Sequence, residues 1–230
     1  VIPAAGLGQR MGTEVPKQYL PLRGRVVLEH TVERFASHPR IAGVVVAIAP
    51  QDASWDHLPC ARAAKVRRAE GGAERCHSVL NALKRLAETA APGDWVLVHD
   101  AARPCLRKKD IDRMLDTLAS HPVGGILAVP VRDTMKRGGA GNEITATVDR
   151  KNLWHALTPQ MFHLGMLTQA IEQALAKGVI VTDEAQAIEL AGHQPVLVEG
   201  HADNIKITHP KDLKLADIYL RLQEEEGECA

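Results

Sequence analysis

The spacing of apolar residues changes period along the chain, and each change marks an element. "VIPAA" at the start is a short apolar run that stops at glycines and predicts a strand. "VLEHTVERFASHP" places Leu28, Val32 and Phe35 at i, i+4 and i+7, one face of a helix that Pro39 closes. "AGVVVAIAP" is continuously apolar, as expected of a strand covered on both faces. "KVRRAEGG" predicts a short strand ending in a glycine turn, and "SVLNALKRLAE" a helix with Val79, Leu83 and Leu86 on one stripe. "DWVLVHDAARP" predicts a strand that stops at a polar, Pro-closed loop. The helix "DIDRMLDTLASHP" and the strand "GGILAVPV" come next, then the helix "GMLTQAIEQALAKG" and a helix after "VTDEA". Strands are predicted at "PVLVEG" and "NIKIT", and a last helix follows "THPKD", with Pro210 in its first turn.

Alternation of this kind predicts one α/β domain over 1–230, a Rossmann-like, doubly wound, mostly parallel sheet. Such sheets bind ligands outside the carboxyl ends of their strands. Chemistry is therefore expected at "AAGLGQR", "EGGAER", "HDAARP" and "NIKIT". One segment breaks the alternation. Arg132 to Arg150 has two strand-like arms around "GGAGN", a hairpin signal, with few large apolar residues of its own. A two-stranded hairpin is marginal alone. This arm should lean on the parent domain or on a partner subunit.

Composition narrows the function. Lys+Arg and Asp+Glu are both 28, so the basic excess of a nucleic-acid binder is missing, while a local basic pocket for a small anion stays open. Cys60, Cys76, Cys105 and Cys229 have irregular gaps and no C-x-x-C, which argues for reduced thiols rather than a zinc site or disulfides. The longest apolar run, about Val44 to Ala49, is far short of the ~18 residues that read as a membrane span. A cytoplasmic enzyme with neither nucleic-acid nor membrane partners is expected. The chain opens inside a strand without Met, so a few upstream residues are expected as well.

The stretch "PAAGLGQRMGTEVPKQY", Pro3 to Tyr19, holds three glycines but fits neither common nucleotide template. No Lys-Ser or Lys-Thr follows the glycines, and Gly6, Gly8 and Gly12 are one residue too wide for G-x-G-x-x-G. A nicotinamide-binding helix would also have to run through Pro16, and Asp52 lies too late for the ribose acid. Two readings remain, a structural turn with incidental charges and a triphosphate cradle, in which glycines admit close backbone approach, Arg10 can fork phosphate oxygens and Lys17 adds a point charge.

"PAAGLGQRM" followed by "PKQY" resembles the nucleotidyltransferase signature, and more narrowly the 2-C-methyl-D-erythritol 4-phosphate cytidylyltransferase family. "EGGAERCHSV", "VLVHDAARPC", "PVRDTMKR", "TVDR", "LWHALTPQ", "TDEA" and "EGHADNIKIT" resemble family segments in order. The resemblance implies transfer of CMP from CTP to the 4-phosphate of methylerythritol phosphate, with pyrophosphate released, magnesium as cofactor, and a homodimer joined through the hairpin arm. It implies that Pro3, Ala4, Ala5, Gly6, Gly8, Arg10 and Lys17 hold the CTP phosphates. Arg10 and Lys17 would stabilise growing charge. Gly72, Ala73 and Ser78 would read cytosine, with Asp100 and Ala101 beside them. Ala73 stands where some relatives carry an acid, so contact there must come from the backbone. Lys206 and Arg150 would orient the methylerythritol phosphate, helped by Arg103, Thr134, Thr158 and Thr182, and Asp100 would meet the metal or a substrate hydroxyl. Several residues also suit structural roles: Ser78 and Thr182 as N-caps, Asp100 as a loop cap, and Lys206 as a guard on an edge strand. Three other functions stay open: a ribitol 5-phosphate cytidylyltransferase, a nicotinamide oxidoreductase, and a catalytically silent protein that interacts through the arm.

Overall fold

A computed structural model describes residues 1–6 and 15–227. Three strands, β1 (Ile2–Pro3), β4 (Val44–Ile48) and β5 (Val66–Glu70), form a parallel ladder in the order β1-β4-β5. Between β1 and β4 lie the small hairpin β2 (Pro21–Leu22) and β3 (Arg25–Val26) and the helix α1 (Val27–Ala36). A second ladder has the order β11-β7-β10-β6, built from β6 (Trp95–Val98), β7 (Gly124–Pro130), β10 (Trp154–His163) and β11 (Val196–Glu199). Val1 joins the two ladders: its amino group donates to the Leu97 carbonyl at 2.7 Å, and the His99 N–H donates to the Val1 carbonyl at 2.9 Å. These two bonds bracket Val98 in the parallel pattern. One sheet therefore runs β11-β7-β10-β6-β1-β4-β5, and among its described strands only β10 runs against the rest.

Alternation along the strands sends side chains into two cores. Val45, Ala47, Val96 and Val98 face α2 (Arg75–Ala87), α4 (Leu164–Ala176) and α5 (Glu184–Leu190). Val44, Val46, Ile48 and Leu97 face α1 and α3 (Lys108–Leu118), where Leu28, Val32, Phe35, Ile111 and Met114 are buried. The helix stripes read from the sequence are the faces that pack. The last helix, α6 (Pro210–Glu225), closes a third, smaller core with Leu22, Val27 and Ile207. Pro210 is its first residue, as its spacing predicts.

The hairpin forms as β8 (Met135–Gly138) and β9 (Ile144–Val148), and its residues are exposed apart from the half-buried Gly139 and Val148. Two expectations are corrected. "NIKIT" makes no ladder: the Ile207 N–H donates to the Ala102 carbonyl, and the segment runs as a loop beside the turn that follows β6. The sequence pattern does not predict β10 as a strand, yet it is central, pairing with both β6 and β7. Its register shifts between Ala156 and Gln160, around Thr158 and Pro159.

Candidate active site

The carboxyl ends of β1, β5 and β6 converge on one cavity of about 250 Å³. Close backbone approach makes this possible. A Cβ on Gly71 would stand 2.2 Å from the Ala5 Cβ, and one on Gly72 would stand 2.4 Å from the His77 Cβ. Only glycine lets the β5 turn close against both the β1 exit and the first turn of α2. The Gly72 N–H then donates to Ser78 Oγ at 2.9 Å, which fastens the turn to the helix. Gln18, 3% exposed, holds the opposite wall, where its Nε2 donates to the carbonyls of Ala4 at 2.8 Å and Gly6 at 3.2 Å.

Asp100 sits just past the end of β6 as the hub of the charged wall. Its Oδ1 accepts from Arg75 Nε at 3.1 Å, and its Oδ2 faces Lys206 Nζ at 2.8 Å and Arg103 Nε at 3.4 Å. Arg75 also forks onto Glu184, at 2.6 and 3.0 Å. Burial by itself would raise the Asp100 carboxyl, but Arg75, then Lys206 and Arg103, outweigh it and hold Asp100 well below the usual carboxylate range. Asp100 is therefore ionised in the site.

A buried relay sets the Asp100 backbone. His99 Nε2 lies 3.0 Å from the Arg103 carbonyl, which only accepts, so Nε2 carries the proton. Burial pushes the His99 imidazole down to about 4, so the ring is neutral and Nδ1 is an acceptor. The Thr158 hydroxyl donates to Nδ1 at 2.9 Å, and its oxygen accepts the Asp100 N–H at 3.1 Å.

The cavity brings together most of the predicted site. Pro3, Ala4, Ala5, Gly6, Lys17, Gly72, Ala73, Ser78, Asp100, Ala101 and Lys206 all line it. Arg103 and Thr158 lie behind Asp100, both buried, with Arg103 also donating to the Asn204 carbonyl at 2.7 Å. Thr134, Arg150 and Thr182 do not line the cavity. Arg150 is exposed at the hairpin base, where its guanidinium donates to the Arg132 carbonyl. Gly8 and Arg10 lie outside the described residues.

The capping alternatives are corrected. α2 begins at Arg75, so Ser78 sits inside its first turns rather than at its N-cap. Asp183, not Thr182, caps α5, accepting from the Gln186 N–H at 2.9 Å. Sequence reasoning passes over Gln18, Arg75, His99 and Glu184. Arg75 and Glu184 stand inside "GGAER" and "TDEA", but their pairing crosses 109 positions and leaves no local signal.

A larger cavity of about 530 Å³ opens elsewhere, against Val1, Gly43, Val44 and Trp95 at the amino ends of β4 and β6. Its lining is mostly apolar, with Arg40 and Asp94 as the charged members, and it lacks the glycine-walled, cation-rich character of the first. The cavity at the carboxyl edge is the candidate for the chemistry. There Lys17, Arg75 and Lys206 face Glu74 and Asp100, a net positive wall beside closely approaching backbone.

A doubly wound α/β sheet with such a pocket at its carboxyl edge is an arrangement suited to a nucleotide ligand. The family model for 2-C-methyl-D-erythritol 4-phosphate cytidylyltransferase matches residues 1–222, and the chain belongs to that family. The enzyme of that name from Pseudomonas entomophila (strain L48) is 56% identical over 215 residues, covering 93% of this chain and 92% of its own. The one from Vibrio vulnificus (strain CMCP6) is 52% identical over 225 residues, covering 98% and 95%. Among solved structures, the Francisella tularensis enzyme superposes with a TM-score of 0.82 at 37% identity, covering 95% of this chain and 97% of that one. The Thermus thermophilus enzyme gives 0.79 at 34%, covering 96% and 97%. No helix among the described residues is long and apolar enough to cross a membrane.

Proposed function

We propose that this chain transfers CMP from CTP to 2-C-methyl-D-erythritol 4-phosphate, forming 4-diphosphocytidyl-2-C-methyl-D-erythritol in non-mevalonate isoprenoid synthesis. A phosphate oxygen of the acceptor attacks the α-phosphorus of CTP. The new P–O–P bond forms as the bond to the β-phosphate oxygen breaks, and pyrophosphate leaves. No protein nucleophile is consumed, so the protein's work is positioning and charge stabilisation.

The observation that carries this reading is the wall around Asp100, where Lys206 and Arg75 are already fixed by ion pairs and Lys17 faces the same cavity. The glycine turn at Gly72, Ala73 and Ser78 offers backbone groups for the cytosine edge. Lys17, with Arg10, meets the triphosphate, and Lys206, with Arg103 behind Asp100, orients the acceptor phosphate.

Magnesium fits as an ion delivered with the triphosphate. No cluster of three His, Cys, Asp or Glu exists among the described residues. Asp100 is a single carboxylate already shared by three cations, a donor set suited to an ion that brings phosphate oxygens and water with it. Bound beside Asp100, magnesium would neutralise phosphate charge.

Arg150 stands on an exposed arm away from its own chain's cavity, which supports a homodimer in which the arm carries Arg150, Thr134 or both to the partner's site. Phosphorus NMR of the products from CTP with methylerythritol phosphate, and separately with ribitol 5-phosphate, tests the reaction. The expected product is the methylerythritol diphosphocytidyl ester, lost when EDTA is present. Preference for ribitol 5-phosphate would overturn the acceptor assignment.

A further inference from the structure

We propose that Glu184, although no substrate reaches it, is a positioning residue: through Arg75 and Asp100 it fixes where the Lys206 ammonium stands in the cavity. Glu184 is the first residue of α5 and is 2% exposed. Both of its oxygens are occupied by Arg75, Oε1 by Nη1 at 2.6 Å and Oε2 by Nη2 at 3.0 Å. A two-point fork fixes the plane of a guanidinium as well as its position. The Nε donor is thereby aimed at Asp100 Oδ1, 3.1 Å away.

Asp100 is thus held from one side, which leaves Oδ2 turned toward Lys206 at 2.8 Å and Arg103 at 3.4 Å. The chain of contacts joins α5, α2, the end of β6 and the loop after β11. Each link is needed because a lysine ammonium sits on a flexible four-carbon stem and takes its place from its partner. Without Glu184, Arg75 keeps Asp100 as its carboxylate and can turn to fork both of its oxygens. That draws Oδ2 away from Lys206. The sequence hides this role, since Glu184 stands 84 residues from Asp100 and 22 from Lys206.

The inference rests on the reading of Lys206 as the group that orients the acceptor phosphate. Its test is a double-mutant cycle on turnover with CTP and methylerythritol phosphate, alongside CTP binding by calorimetry. Glu184→Gln should lower kcat about tenfold or more, shift CTP affinity by less than about threefold, and cost less than about threefold when added to Lys206→Ala. Near wild-type turnover in Glu184→Gln, or an equal loss in both backgrounds, would overturn the proposal, since a merely structural residue damages both alike. If Glu184→Gln does not fold, Arg75→Lys enters the same cycle, keeping the charge and losing the fork. If the wild-type chain releases no pyrophosphate, the reaction is wrong, and the positioning chain is decided by a crystal structure of Glu184→Gln. Lys206 Nζ displaced from Asp100 Oδ2 supports it, and an unchanged contact overturns it.

Discussion

Replacing Asp100 by asparagine keeps the shape of the side chain and removes the charge that three cations share. Asp100 is 8% exposed, so its loss is felt in a poorly solvated place. The partners are not equally stranded. Arg75 keeps its fork on Glu184, Arg103 keeps the Asn204 carbonyl, and the Lys206 side chain, 39% exposed, can return to water. Breaking a buried ion pair costs about 3–5 kcal/mol, and these remaining partners place Asp100→Asn at the lower end, about 3 kcal/mol. For a chain of this length each kcal/mol moves Tm by about 2–4 °C, so the variant should melt roughly 6–12 °C below wild type at pH 7.

The sign of the pH dependence follows from the same contacts. Because the folded carboxyl is held below its unfolded value, its contribution is complete above the unfolded value of about 4 and is lost as pH falls below it. Wild type then loses about 1.4 kcal/mol per pH unit from this one group, which asparagine cannot lose. Melting curves by calorimetry should show the gap between the two proteins narrowing from pH 5 to pH 3. A gap under 2 °C at pH 7, or one that stays constant into acid, would refute the hub.

Three further outcomes are expected. His99 is held neutral by burial, with its folded value near 4 against 6.5 when free, so stability present above pH 6.5 drains away as pH falls toward 4. Nitrogen NMR should show His99 protonated on Nε2 alone and unchanged down to pH 5; a midpoint near 6.5 would contradict the relay. Gln18→Met fills similar space but strips two donors from the Ala4 and Gly6 carbonyls, costing about 1–3 kcal/mol and raising the KM for CTP more than that for the acceptor. An unchanged KM for CTP would show that the β1 exit does not need this clamp. Deleting Gly138 to Asn142 should lower dimer content by light scattering and turnover together; a fully active monomer would rule out a shared site.

The sequence shows where phosphate chemistry belongs, because glycines and cations at strand ends are local signals. Gly72, Ser78, Asp100 and Lys206 are readable from their segments and meet in one cavity. What the sequence hides is pairing over distance. Arg75 and Glu184 read singly as solvated helix charges, and only the packing of α2 against α4 and α5 brings them together. β10 is hidden for a different reason. Pro159 inside "WHALTPQMFH" demotes the run as a strand, and Thr158 and Gln160 break its apolar look. Both polar side chains are buried and bonded inward, Thr158 to His99 and Gln160 to Asp183 and the Ala185 N–H. "NIKIT" misleads in the opposite direction: its alternation resembles a strand, but Asn204 and Ile207 bond to Thr158 and Ala102 rather than to a neighbouring strand.

The central claim, cytidylyl transfer at the Asp100 cavity, is tested most directly by pyrophosphate release from each of the four ribonucleoside triphosphates, with and without methylerythritol phosphate. Release should require CTP, magnesium and the acceptor together, and should fall by at least about a hundredfold in Lys17→Ala, the loss typical of a preorganised charge-stabilising group. Equal release from ATP or GTP, release without the acceptor, or full activity in Lys17→Ala would contradict it.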